Sequence, residues 1–305
     1  MFYRLETWKQ MLTMRPIVAL EAAKLYVERG DTSVVDLADK VAVVSGWSKT
    51  EGQSLSLSAY LEELSSAGYL TIVVSTSGAP SPLRWTHGIP EDTIVLRRRN
   101  IGYDFGSWAA VLEALPAVRR ASHTLLTNDS MVGPFIPMRE LLRRAEEDPA
   151  GVVAMTDSKQ LGFGIQSYFM VFNGGILDAP EWRAFFRGVR EQPTKMDVVH
   201  RYEQKVAITA VRGAFGWDVL FPADMLDARL DNPTLAKWKE LLDMGYPFAK
   251  RTLWTHEDFI SEGDRAARYL RARWGVEVEG WLPDAAQETK ADRKAQALEA
   301  GEVDS

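Results

Sequence analysis

Between residues 41 and 74 the chain writes a complete strand–helix–strand unit, and this unit restricts the fold more than any other feature. Val41-Ala42-Val43-Val44 is a continuous apolar run of the kind that fills a strand buried on both faces. Ser45-Gly46-Trp47-Ser48 breaks the run, and Ser54 can cap a helix whose stripe is Leu57, Tyr60, Leu61 and Leu64 before Gly68 stops it. Leu70-Thr71-Ile72-Val73-Val74 reads as the next strand. Two strands joined through a helical crossover lie parallel, with a right-handed connection. The alternation continues with strands expected at 93–96, 124–127, 152–155 and 168–172, and helices at 108–115, 138–146, 181–189 and 196–212. The expected class is therefore α/β, with a mostly parallel, Rossmann-like sheet flanked by helices.

Ahead of this unit, residues 2–30 read as one or two amphipathic helices. Trp8, Met11 and Leu12 recur at helical spacing, as do Ile17, Leu20, Ala23 and Val27 after Pro16. Such an extension either docks on the domain or lies on a membrane surface or partner. Past Pro283 the chain turns polar and small, as a frayed tail does. The division expected is an N-terminal helical extension (1–36), a main domain (37–256), and a C-terminal helical segment with a flexible tail (257–305).

Several functional classes fall away on composition. The chain has no cysteine, which excludes thiolate nucleophiles and thiolate metal sites. Its four histidines are scattered, at no metal-ligand spacing. A net charge of −6 does not suit a nucleic-acid binder. Charges interrupt the apolar runs of the first 24 residues, unlike a signal peptide, and no run reaches the ~18 apolar residues of a membrane span. The expected location is cytoplasmic, with peripheral attachment to the inner membrane face as the variant.

Two polar elbows follow short apolar runs: Arg99-Asn100-Ile101-Gly102-Tyr103-Asp104-Phe105-Gly106-Ser107-Trp108 and Thr127-Asn128-Asp129-Ser130. Ligands of open α/β sheets bind at the carboxyl ends of the strands. Asn100, Gly102, Asp104, Asn128 and Asp129, with Ser45 at the first strand's tip, make a candidate pocket for a polyhydroxylated, phosphorylated ligand. Asp129 suits a hard divalent cation, Mg²⁺ or Mn²⁺, which is held by one or two carboxylates plus substrate phosphate. The rival reading is an Asx-turn by Asn128 or Asp129. Asp104 equally suits a helix N-terminus, and Ser107 can cap the helix that follows. On a helix over 196–212, Val199, Glu203, Val206 and Ala210 share a face. This sets the Glu203 carboxylate in an apolar stripe, where a general base can be tuned, or where an ion pair with Arg201 or Arg212 can hide. Asp157 at a strand end, Gln166 before the next strand, and Lys250 and Arg251, which can neutralise a diphosphate, complete the set.

Taken in order, these motifs resemble the rhamnan-synthesis protein F family from about residue 41 to 253. The resemblance rests on the Ser45-Gly46-Trp47 loop, the two elbows, Gln166-Ser167-Tyr168-Phe169-Met170-Val171-Phe172, Tyr202-Glu203, and Asn232-Pro233-Thr234 through Gly245-Tyr246-Pro247-Phe248-Ala249-Lys250. One departure stands out: the family commonly has a histidine just before Gln-Ser-Tyr-Phe, where this chain has Gly162-Phe163-Gly164-Ile165. The resemblance implies a GT-A-like glycosyltransferase fold and a nucleotide-sugar donor, dTDP-rhamnose being the type case. It also implies transfer of a deoxyhexose with inversion to a growing bacterial surface glycan or lipid-linked glycan. Glu203 holds the place in chain order of the base in such enzymes, with Asp157 second. Two other classes stay open: an inactive glycan-binding or scaffolding subunit, and another nucleotide-dependent enzyme, such as a nucleotidyltransferase, on a similar sheet.

Overall fold

The expected strand–helix–strand unit forms and lies at the middle of the sheet. The computed structural model describes residues 15–159, 164–228 and 231–283. The expectations for Trp8, Met11 and Leu12 and for the tail beyond residue 284 lie outside the described residues. Eleven strands are present among the described residues: β1 (Tyr26–Arg29), β2 (Lys40–Gly46), β3 (Leu70–Ser75), β4 (Ile94–Arg97), β5 (His123–Asn128), β6 (Met131–Val132), β7 (Val152–Ser158), β8 (Gly164–Ile165), β9 (Phe169–Asn173), β10 (Trp217–Phe221) and β11 (Ala249–Lys250). Nine of them form one sheet in the order β1-β4-β3-β2-β5-β9-β7-β10, with β8 on β7, while β6 and β11 pair as a separate ribbon. The fold is mixed α/β, and its central sheet is mostly parallel: β2, β3, β4, β5, β7 and β10 share one direction.

The apolar run of β2 is continuous because both faces are covered. Ala42 and Val44 enter one core layer with Leu57, Leu61 and Leu64 of the helix Leu55–Ser66; Val41 and Val43 enter the other with Trp108 and Val111 of the helix Tyr103–Ala114. Ser54 caps its helix as expected, accepting from the Leu57 N–H at 3.2 Å. From β2 the chain steps outward through β3 to β4, then returns to β5 on the other side of β2. That reversal is a topological switch point, and it opens a crevice beyond the tips of β2 and β5.

Two features depart from the sequence reading. The helix expected through Val27 ends early: Ile17–Glu21 and a 3₁₀ turn at Ala22–Lys24 are helical, but Leu25 turns extended and Tyr26–Arg29 becomes an edge strand antiparallel to β4. Ile17 is fully buried in the core. β9 also runs against its neighbours β5 and β7. Its entry, Gln166-Ser167-Tyr168, therefore reaches the rim where the parallel strands exit. Among the described residues no helix is long and apolar enough to cross a membrane.

Candidate functional site

The two polar elbows interlock at the switch point. The first begins its helix at Tyr103, five residues before the expected start, with Gly102 at φ +78° as the left-handed entry. A Cβ on Gly102 would lie 2.8 Å from Ile17 Cδ1, so this glycine admits the N-terminal helix. Ser107 is not a cap. It lies buried inside the helix, and its Oγ accepts from Arg98 Nη1 at 3.0 Å. Early helix entry puts Asp104 in the first turn, where Asn128 Nδ2 donates to its Oδ2 at 2.9 Å. Trp108 Nε1 donates to the Thr127 carbonyl at 3.1 Å and fixes the second elbow to the first.

Asn128 is fully engaged, since its Oδ1 also accepts from Ser130 N at 3.1 Å and Ser130 Oγ at 2.6 Å, closing an Asx-turn. That turn leaves Asp129 at the crevice. Its N–H donates to Ser45 O at 3.1 Å, and its Oδ2 accepts from Trp47 N at 3.2 Å and stands 3.6 Å from Arg251 Nη1. Burial first, and the Asp129 charge second, push the Asp104 carboxyl up to about 6, against hydrogen bonds from Ser45 and Asn128. Two neighbouring carboxylates of this kind suit a hard divalent cation completed by substrate phosphate. Among the described residues no group of three or more acidic or histidine side chains gathers to hold a metal by itself.

Two clefts open near this pair: the smaller takes Asp104 into its lining, and the wider adjoins Asp129 through Trp47, whose N–H donates to it. The wider, about 820 Å³, lies over the tips of β2, β3 and β4 and is lined by Trp47, Tyr26, Lys24, Lys49, Asn100 and the Arg97–Arg99 run. The smaller, about 240 Å³, lies on the β5–β9–β7 side, lined among others by Asp104, Ser130, Gln166, Lys195, Glu203 and Lys250. Glu203 reaches it because the expected helix is interrupted: Lys195–Val198 is followed by a π-type turn, Val199–Glu203, before Gln204–Arg212 resumes. The extra residue turns Tyr202, rather than Glu203, into the core. Glu203 Oε2 accepts from Ser167 N at 3.0 Å and from Ser167 Oγ, while Oε1 has no partner among the described residues. Lys250 projects into the same cleft. Burial, aided by Lys195, lowers its ammonium to about 8, against the pull of Glu203.

The remaining candidates have structural partners. Asp157 is buried and its Oδ1 accepts from the Ala223 N–H at 2.7 Å, tying β7 to the turn after β10. Gln166 accepts from Thr156 Oγ1 at 2.7 Å and donates to Asn232 Oδ1 at 3.2 Å. Lys250 and Arg251, adjacent in sequence, part company: Lys250 faces the Glu203 cleft and Arg251 faces Asp129. Sequence reasoning missed two participants. Lys195 sits at a helix start with nothing local to mark it. Glu21 reads as a solvent-facing charge but is buried, accepting from Arg99 Nε at 3.0 Å and lying 3.8 Å from the buried Arg98 Nε.

Comparison with known proteins bears on this geometry. The family model described as rhamnan synthesis protein F matches residues 89–274, which include both elbows, Glu203 and the β6–β11 ribbon. "Virulence protein VirA" of Vibrio anguillarum is 27% identical over 192 residues, covering 52% of this chain and 62% of its own length. An uncharacterized protein, y4gN, of Sinorhizobium fredii is 27% identical over 143 residues, covering 44% of this chain and 37% of its own. The chain thus spans less than two thirds of the length of either relative.

Proposed function

The chain belongs to the rhamnan synthesis protein F family, and from that premise we propose that it is a GT-A-like glycosyltransferase of bacterial polysaccharide assembly. It moves a deoxyhexose, rhamnose being the favoured case, from a nucleoside diphosphate to a glycan or lipid-linked glycan. The observation that carries this reading is the convergence of Asp104, Asn128 and Asp129 at the switch point, with two clefts opening near them. One cleft suits the donor and the other the acceptor.

The donor nucleotide lies over the tips of β2–β4, where Trp47 and Tyr26 offer exposed aromatic faces and Asn100 a polar edge. Asp129 would be the residue to hold a divalent cation beside the donor phosphates, and such an ion would supply Lewis-acid stabilisation of the leaving group. Arg251, beside Asp129, adds a fixed positive charge at the same place. On the acceptor side, Glu203 takes the proton from the attacking hydroxyl. Ser167 grips one of its oxygens with both N–H and O–H, which orients the carboxylate and leaves the other oxygen for the substrate. Attack from this cleft, opposite the departing diphosphate, inverts the anomeric carbon.

The test is a panel of nucleotide sugars in thermal-shift and donor-hydrolysis assays. A binder at about 100 times its dissociation constant adds roughly 2.7 kcal/mol of stability. Stabilisation by one nucleotide sugar, with its slow hydrolysis, is the expected outcome. A second reading, an inactive glycan-binding or scaffolding subunit, is favoured by the Arg251 guanidinium already set against Asp129. Stabilisation by glycans with no donor binding or hydrolysis would select it.

A further inference from the structure

The smaller cleft holds two lysines that form no close ion pair among the described residues, although two acids, Glu203 and Asp104, line the same cleft. Lys195 and Lys250 both line it, and neither ammonium has an ion-pair or hydrogen-bond partner among the described residues. This is unusual for a side chain as withdrawn from water as Lys250. The groups facing it are Lys195, which repels it, and Glu203 and Asp104, the acids of the same cleft. Glu203 has one oxygen committed to Ser167, and Asp104 gives one to Asn128. Lys195 at the exposed rim and Lys250 further in repel each other, and with Glu203 and Asp104 each holding an oxygen on a protein group, an entering anion would be drawn to the two ammoniums. Around them Ser130, Gln166, Ser167 and Asn232 supply the neutral hydrogen-bonding groups typical of a sugar-hydroxyl site.

We propose that this cleft binds an anionic saccharide, one bearing a phosphate or a carboxylate close to the reacting hydroxyl, through Lys195 and Lys250. The proposal rests on the transferase reading for calling that saccharide the acceptor. Lys250 and Arg251 then divide the work between the two substrates. The Arg251 charge sits with Asp129 at the donor diphosphate, and the Lys250 charge sits on the Glu203 side. The anion would draw the acceptor in and hold its hydroxyl near the unengaged Glu203 oxygen. Binding requires no bond to form or break, so the site can be examined without turnover.

Calorimetric titration of the whole chain with a hexose 1-phosphate, a hexuronate and the neutral hexose tests this, with thymidine diphosphate as the donor-side probe. The anionic sugars are expected to bind at least tenfold tighter than the neutral one. Lys195→Ala and Lys250→Met should each remove most of that preference, while thymidine diphosphate affinity changes less than twofold. Lys195 is exposed, so its substitution keeps the test valid even if Lys250→Met fails to fold. Equal binding of neutral and anionic sugars overturns the proposal. So does displacement of the hexose phosphate by thymidine diphosphate, which would assign both lysines to the donor. If the anionic sugars bind through the lysines but no nucleotide or nucleotide sugar binds at all, the anion site stands and the transferase reading falls.

Discussion

The two clefts differ both in how many positive charges line them and in what those charges are doing. The wide cleft presents Arg97, Arg98 and Arg99 in succession, and all three are committed, while Lys24 and Lys49 on its exposed rim have no ion-pair partner among the described residues. Arg97 pairs with Glu28 at 2.7 Å and donates to the Ser77 and Ala79 carbonyls. Arg98 is wholly buried on Ser107 and the Ile101 carbonyl, and Arg99 pairs with Glu21 at 2.5 Å. The small cleft is lined by two lysines, and neither has an ion-pair partner among the described residues. A basic lining can thus be scaffold in one place and binding capacity in another. What separates the two kinds of charge is whether each has a partner: the arginine run does, and the lysines of either cleft do not among the described residues.

Four substitutions press on that contrast, beginning with the most severe. Glu203→Gln keeps the hydrogen-bonding shape but cannot take a proton, so turnover should drop by about 10²–10⁴-fold. Donor affinity should hold, because Glu203 lines only the small cleft. If stability and donor binding fall together, Glu203 is structural and the clefts do not divide the substrates.

Glu21→Ala strikes the scaffold of the wide cleft. It leaves the buried Arg98 guanidinium, already lowered to about 10 by burial, without its counter-charge. Loss of one partner from such a pair typically costs about 3–5 kcal/mol. Urea denaturation should show that loss, and a change under about 1 kcal/mol would mean the arginines are freer than their geometry implies.

Asp104→Asn should stabilise the protein while harming donor binding, and the gain should depend on pH. The Asp104 carboxyl titrates near 6 in the fold, against 3.8 ordinarily. The folded state therefore holds its proton more tightly than the unfolded chain does. Wild-type stability attributable to this group is full below about pH 4 and is lost as pH rises through 6. The variant has no such loss, so it should gain about 3 kcal/mol at pH 8 and almost nothing at pH 4. A gain independent of pH would show that packing, not charge, is responsible.

The mildest expected effect is on the donor side. Arg251→Ala should weaken nucleoside diphosphate binding by roughly tenfold, about 1.4 kcal/mol, without altering saccharide binding in the other cleft. Repeating the titration with a chelator measures the part carried by a cation at Asp129. Unchanged wild-type affinity under chelation would leave Asp129 as a turn residue or direct ligand.

Much of this arrangement could be read from the chain. Val41–Val44 is apolar without interruption and 70–74 is broken only by Thr71, so both had to be central strands, and the elbows that follow their neighbours had to meet at the rim. Other parts were hidden for identifiable reasons. Val27 continues the helical spacing of Ile17, Leu20 and Ala23, so periodicity favoured a helix where pairing with Arg97, Leu96 and Val95 made a strand. The helix at Tyr103 was placed late because Gly102 and Gly106 look like loop residues. Their real constraints are the crowding of Ile17 and of the Ile101 carbonyl, which only the fold reveals. The π-type turn at Val199–Glu203 breaks the 3.6-residue rhythm from which the Glu203 face was inferred. Lys195 meets Lys250 only through the return of the β6–β11 ribbon, a pairing across more than a hundred residues.

The central place of β2 also governs how this protein can be dissected. Residues 89–274 are the part recognisable across the family, and they contain Asp104, Asp129, Glu203, Lys195 and Lys250. A piece cut at those limits would carry the proposed chemistry but lack β2 and β3, which stand between β4 and β5. β4 would keep no parallel neighbour, β5 would be paired on one side only, and both would offer bare backbone edges to other chains. The segment that carries the family signature is therefore not the segment that folds, and any transplantable version of this site must bring Tyr26–Arg29, Lys40–Gly46 and Leu70–Ser75 with it.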